Sequence, residues 1–471
     1  MRPCIAPTAS SRRGSVTPLA VLCLAMLLAV VALVVDGGSL MEDRRHVQAT
    51  ADAAALAAAD DLFANYITNQ GTDPKGTAQA SALTTAAANG YTNDGVQSIV
   101  TVNISPSNYQ GGPNAGNPLP PGYVEVLVQY NAARLFSGVF GTSAVPVRAR
   151  AVARGQWGPV SNQVMALNLT TPVGVGVGGN GTSTNVNING GLLVNSNSST
   201  AVTVAPGASL TAASLNLNSG GGGLLGVVGS LLGGLLGLLG GLLGGGGGGG
   251  GSSSPAPVNY GLVVPDPLRL LPPPSSAQLP TQSTSTLNIT SGSVSLSPGV
   301  YVGGINVSNG ASVTLTPNAN GTPGIYFLEG GGLNVSDTSS LTMAAGTTAG
   351  VMIYNNWQSS SDAINLEGSG SLVLTPPSSG VYQGLTIFQQ RGTLTNPAPT
   401  LTISGYGNVN ITGTIYVAYG NVTLEGKRKN KNNNAGGQII ADTVSASGDG
   451  TFDVNPNGQP TANMRTLGLV E

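Results

Sequence analysis

Three hydrophobic rhythms follow one another along the chain. The first is continuous. Residues 16–35 contain no charged side chain, and a helix of about twenty residues rises roughly 30 Å, the hydrocarbon thickness of a bilayer. Pro18 falls in the first turn, where its missing N–H costs nothing. Asp36 and the pair Gly37-Gly38 end the run. A cleaved signal peptide has a shorter apolar region and small residues at its cleavage site. Val34-Val35-Asp36 stand there instead, so the pattern predicts a retained anchor.

The second rhythm mixes helical and alternating stretches. QATADAAALAAA (residues 48–59) predicts an Ala-rich helix, with Gln48 and Asp52 one turn apart on one face. Residues 77–89 predict another helix that stops at Gly90. Residues 96–104, 123–130 and 144–153 alternate as strands, and 132–140 read as a short helix.

The third rhythm is a quasi-repeat of short apolar pairs. Residues 186–217 hold brief alternations broken by Gly, Asn, Ser and Pro. From 286 to 454 the pairs recur, often about eight residues apart, with Gly, Asn, Ser and Thr at the corners. They include Ile305/Val307, Val313/Leu315, Ile325/Phe327, Leu333/Val335, Val351/Ile353, Ile364/Leu366 and Val409/Ile411. Three such strands per coil predict a right-handed parallel β-helix of about five to seven coils, with a β-sandwich as the alternative. In this phase Ile353 and Ile411 point inward and Thr412 outward. Between the two β-rich stretches, residues 220–251 are a Gly/Leu low-complexity insert. By hydropathy 224–243 could span a membrane, but the many glycines oppose it, and it is expected not to cross. Residues 252–280 are Pro-rich and predict a linker or an extended cover.

Composition narrows the chemistry. Charged residues are 8% of the 471, and 17 Lys+Arg against 19 Asp+Glu leave no electrostatic footprint for nucleic acid. Residues 155–265 carry no charge at all. Cys4 and Cys23 lie in the N-terminal tail and the apolar run, so no intramolecular disulfide staples the rest. The single histidine, His46, sits beside Arg44 and Arg45 and supplies neither a triad nor a zinc site. The glycine tract 245–251 lacks the Lys-Ser/Thr of a phosphate loop. A polysaccharide lyase or hydrolase would need converging acids and a base. The candidates Glu329, Asp337, Asp362, Glu367 and Arg391 are scattered. Asp449 and Asp453 are candidates for a calcium-binding turn, with a plain turn the simpler reading. The one basic cluster, KRKNK at 427–431 followed by Asn432–434, predicts an exposed loop between coils that could touch an anionic surface. Arg148, Arg150 and Arg154 alternate along one strand as a solvated face, the rival reading being a partner-docking strip. No catalytic, cofactor-binding or metal residue is assigned.

The spelling of the N-terminal region adds a resemblance. RRGSVTPLAVLCLAMLLAVVALVVDGGSLMEDRRHVQATADAAALAAADDL resembles the N-terminus of the TadG-like proteins of the Flp (Tad) pilus-assembly system. It shares a short basic tail, RRG, an apolar span ending in VD, a basic pair and ADAAALAAA. The likeness is close over 12–65 and looser to 155. The helices and strands up to 155 resemble the arrangement expected of TadE/TadG-like proteins. GVYVGGINVSNGASVTLTP…GIYFLEGGGLNVSDTSSLTMAAGTTAGVMIYN is similar to β-helical ectodomains appended to some TadG-like proteins. Pilins and pseudopilins carry a Glu five residues into the processed chain, where Leu19 stands here, so the resemblance implies an anchored assembly component and not a pilin subunit.

The expected organisation is a cytoplasmic tail (1–15), a transmembrane helix (16–35), a small TadE/TadG-like α/β domain (36–155), a first β-solenoid segment (156–218), a Gly/Leu- and Pro-rich insert (219–285) and a β-helix domain (286–471). The expected function is that of a non-catalytic structural or adhesive envelope protein. It would sit in the inner membrane with the N-terminus inside and the bulk exported. Its partners would be the bilayer, other pilus-assembly proteins and surface polysaccharide, with no cofactor. The alternative is a membrane-anchored β-helical carbohydrate-active enzyme.

Overall fold

In the computed structural model one helix, α1 (Val16–Ala64), spans the apolar run and the Ala-rich stretch without a break. The structure describes residues 16–134, 136, 143–160, 162–179, 182–218, 252–254, 258–259, 263–393 and 395–471. Gly37 and Gly38 leave α1 intact. Each costs about 1 kcal/mol against Ala in a helix, and strong helix formers on both sides carry the ladder through.

The chain divides into two compact units, Met1–Trp157 with Thr466–Glu471, and Gly158–Arg465. In the first, α1 buries Val47, Ala51, Ala54, Ala55, Ala58 and Leu62, the period of one helical face. A short turn, α2 (Tyr66–Asn69), leads to α3 (Thr77–Ala88), which packs Ala78, Ala82 and Ala86. Small side chains let the backbones close in, and at Gly155 a Cβ would lie on the carbonyl oxygen of Ala59. The Asp73 carboxylate accepts from the N–H groups of Thr77 and Gln79, both at 2.9 Å, capping α3. Strands β1 (Ser98–Ile104), β2 (Tyr123–Ala132) and β3 (Val145–Pro159) form an antiparallel sheet, and Asn463–Leu469 adds a fourth strand beside β3. Residues 466–471, expected at the end of the β-helix, complete this sheet instead. Most of the short helix expected at 132–140 lies outside the described residues.

The second unit is therefore an insertion between two neighbouring strands of the first. It is a parallel β-helix of three sheets. The largest holds 11 strands. Its spatial order runs from 281–283 through 299–302, 324–329, 351–356, 385–389, 414–418 and 438–441. It then continues into 162–166, 191–194, 214–217 and 258–259. The chain thus enters mid-stack, winds to one end, returns along the outside, and winds from the far end back to where it began. The segments 156–218 and 286–471, expected to be separate, form one stack joined by strands 438–454 on 162–188. Insertion explains this order, because a solenoid that must start and finish at one sheet edge cannot run from end to end once. The connection from Asn259 to Thr281 has to span about ten strand spacings of 4.8 Å, roughly 48 Å. Some twenty extended residues reach about 66 Å.

Inward side chains stack in register. Val307, Val335, Leu366, Ile403, Leu424, Ala446, Val177 and Val204 form one continuous ladder on the second sheet. Ile353 and Ile411 are buried in this core as expected. Two assignments are corrected. Tyr326 and Leu328 point inward while Phe327 packs on the outer face, so the expected pair Ile325/Phe327 is out of phase by one. Thr412 is buried at a corner, where its hydroxyl donates to the Leu374 carbonyl oxygen, and the exposed neighbour of Ile411 is Asn410. The Gly/Leu insert at 220–251 lies outside the described residues.

Candidate functional site

The N-terminal half of α1 is apolar and unpacked. Leu19 and Leu33 are 66% and 77% exposed, whereas Val47 and the buried alanines beyond it are at 0%. The helix is long and apolar enough to cross a membrane. A single rigid element thus passes from bare apolar surface into the core of a folded unit. His46 is exposed, and Gln48 donates to Asp52 at 2.8 Å.

The arginine strip of β3 is not uniformly solvated. Arg148 is exposed, but Arg150 donates at 2.6 Å to Glu125, a fully buried carboxylate, and also pairs with Glu471. Glu125 further accepts from the N–H groups of Gln110 (2.7 Å) and Gly111 (3.1 Å) and from Asn103 (2.8 Å). Burial pushes its carboxyl up, and these four donors outweigh burial, leaving it below the ordinary value. Sequence alternation had no means to see Glu125, whose partners arrive from one loop and the two neighbouring strands, β1 and β3.

The acids of the solenoid serve corners. Asp362 is held below the ordinary carboxylate value; burial opposes this, but the N–H groups of Gln358 and Ser359 donate to it at 2.8 and 2.9 Å and prevail. Asp337 accepts from the Asn309 N–H at 3.0 Å. Asp449 accepts from the Ser183 N–H and Asp453 from Asn187, both at 2.9 Å across the join between the last and first coils. Glu329 and Glu367 are exposed. Among the described residues no three His, Cys, Asp or Glu side chains come together as a metal site.

Arg391 holds a strap. The outer face of the largest sheet carries a column of large apolar side chains, Val300, Phe327, Tyr354, Phe388, Tyr416 and Ile440 in register. Successive rings from Phe327 to Tyr416 lie 5.0–5.2 Å apart. Residues 263–280, the expected cover, lie over this face and bury Leu268 and Leu271. Arg391 donates to the carbonyl oxygens of Leu268 and Leu271 (2.5 and 3.0 Å) and to the Tyr416 hydroxyl (2.6 Å), which donates to Asp266 at 2.5 Å. Burial pushes both Asp266 and Tyr416 up. The signal for a covered face was present in the sequence. The strands IYFL, VMIY and IYVA are unbroken apolar runs, as expected when both faces of a parallel sheet are buried, whereas INV, LNV and INL alternate.

The comparisons locate one part of this architecture. Residues 14–61 match the family model "Putative Flp pilus-assembly TadE/G-like". This TadE/G-like segment coincides with the apolar run and the Ala-rich continuation of α1, so the matched feature is the exposed apolar helix and the start of its buried face. No curated protein and no solved structure matches the chain. The β-helix lies beyond the TadE/G-like match.

Proposed function

We propose that the chain is a non-catalytic, single-pass envelope protein of the Tad/Flp pilus-assembly type, with its N-terminus in the cytoplasm. It would hold the β-helix outside the inner membrane as a structural or adhesive module. The observation that carries this reading is the continuity of α1, whose bare apolar half belongs to the TadE/G-like segment and whose other half is the core of the unit into which the solenoid is inserted. Support for a non-catalytic solenoid comes from its acids, several of which are occupied as corner caps, and from Arg391, which is committed to the strap. The bilayer and other assembly proteins are the partners of this reading.

Topology is tested by single-cysteine labelling, with Cys4 and Cys23 replaced by Ser. A membrane-impermeant maleimide should label Asn306→Cys in intact spheroplasts and Thr8→Cys only after lysis. The opposite pattern would overturn the orientation, and recovery of the protein in the soluble fraction would overturn the anchor.

A further inference from the structure

The KRKNK cluster turns the corner between the second and third sheets, joining strand segments 422–426 and 432–435 of one coil. Lys427 is paired with Glu425 at 2.5 Å. Arg428, Lys429 and Lys431 are exposed and have no acidic partner among the described residues. They are three of the seven Lys and Arg residues in Gly158–Arg465, and Arg391 and Arg465 are turned to the strap. This corner therefore gathers most of the free positive charge of the solenoid.

The loop is fixed by its own coil neighbours. Asn433 is 1% exposed, accepts from the Gly407 N–H at 2.8 Å and donates to the Thr451 carbonyl oxygen at 3.4 Å, bonding to the coils on both sides. Asn434 donates to the carbonyl oxygens of Ile411 (2.9 Å) and Asn455 (3.0 Å). Gly405, Gly426 and Gly448 stack in register beside it. At Gly426 and Gly448 a Cβ would strike the backbone of the adjoining coil, and at Gly405 it would strike the Asn433 side chain. The Lys431 stem lies across Gly407. Asn430 takes the left-handed conformation that throws the turn outward, with φ of 56°. Fixing a loop on binding normally costs affinity, and a loop whose backbone is pinned in this way has met that part of the cost during folding.

We propose that this corner binds an acidic polysaccharide, a polymer carrying carboxylate or phosphate groups along a hydroxyl-rich chain. The planar guanidinium of Arg428 and the compact ammonium groups of Lys429 and Lys431 would meet the anionic groups. The neighbouring outward column of the second sheet, which includes Asn365, Thr402 and Thr423 in register, offers neutral hydrogen-bonding groups for hydroxyls. Three charges fall short of the six to ten phosphate contacts typical of duplex DNA binding. An anionic bilayer would be held by surface charge alone, because Lys427–Lys431 contains no apolar side chain to insert. The inference deepens the adhesive reading above by naming the partner class, and rests on it only for where the polymer is met.

The test uses the full chain in neutral detergent micelles, so a failure of binding is separate from a failure of anchoring or export. Polygalacturonate is the probe, with neutral dextran, duplex DNA and anionic phospholipid vesicles alongside. The expected result is retention on polygalacturonate that weakens as salt rises. It should fall at least tenfold in the triple variant R428Q/K429Q/K431Q and stay unchanged in Arg269→Gln, a substitution of an exposed strap residue. An unchanged melting transition in the triple variant establishes that the loss is not unfolding. Equal binding by the triple variant, absence of polygalacturonate binding, or tighter binding to DNA or vesicles would each overturn the proposal.

Discussion

Ile353→Ala probes whether the apolar pairs are stacked rungs. Ile353 is 1% exposed and sits in register between Tyr326 and Ile387 of the adjoining coils. Removing three carbons forfeits about 2.4 kcal/mol of transfer free energy at roughly 0.8 kcal/mol per carbon. The residual cavity adds to this. Collapse is resisted because hydrogen-bonded strands hold the backbone on both sides, so the total should fall in the upper part of the roughly 2–5 kcal/mol range for such truncations. Ile411→Ala should behave alike, since Ile411 is fully buried between Leu374 and Ala435. Asn410→Ala, on the exposed face of the same strand, should stay within about 0.5 kcal/mol. Denaturant unfolding of the whole chain is the right assay. A 280–471 fragment would lose the coils that cover strands 438–454, and the exposed end would itself lower stability. Equal losses at Ile353 and Asn410 would refute the inward–outward assignment and with it the register on which the solenoid rests.

Three further expectations follow from the same geometry. Cleavage at a protease site engineered between Gly245 and Gly246 should leave the two pieces co-eluting, because strands 438–454 pair with 162–188 irrespective of that connection; dissociation on size-exclusion chromatography would refute the join. Arg391→Ala should cost about 2–4 kcal/mol, since hydrogen bonds to charged groups carry roughly 1.5–3 kcal/mol each, and should speed proteolysis within residues 263–280. Arg391→Lys should not restore protection, because a single ammonium cannot span the two strap carbonyls and Tyr416 together. Glu125 has a folded-state pKa below its ordinary 4.5, so its contribution is present above about that pH and is lost as pH falls through the lowered value. Stability followed from pH 7 to pH 3 should therefore drop less steeply in Glu125→Gln than in the wild type, and parallel curves would contradict the assignment.

Much of this protein is written locally. An uncharged run of bilayer length, an alanine face with a 3.6-residue period, and apolar pairs parted by Gly and Asn corners each specify their element through short-range sterics and burial. The long apolar helix, α3 and the strands of the parallel β-helix were legible for that reason. What the sequence by itself could not determine is which coil lies on which. Parallel rungs are nearly equivalent in chemistry, so nothing local marks Val444 as the neighbour of Val175. Only the tertiary structure decides that residues 162–217 extend the stack begun at 281, because entry and exit are tied to adjacent strands of one sheet. The same holds for Glu125, stabilised by donors distant in sequence, and for Arg391, which looked like a candidate base and is a clasp for a strap more than a hundred residues away. Local pattern sets the strand and its inward face. Chain closure, through burial and hydrogen-bond satisfaction between remote segments, sets the order of the coils and the work of their charged residues.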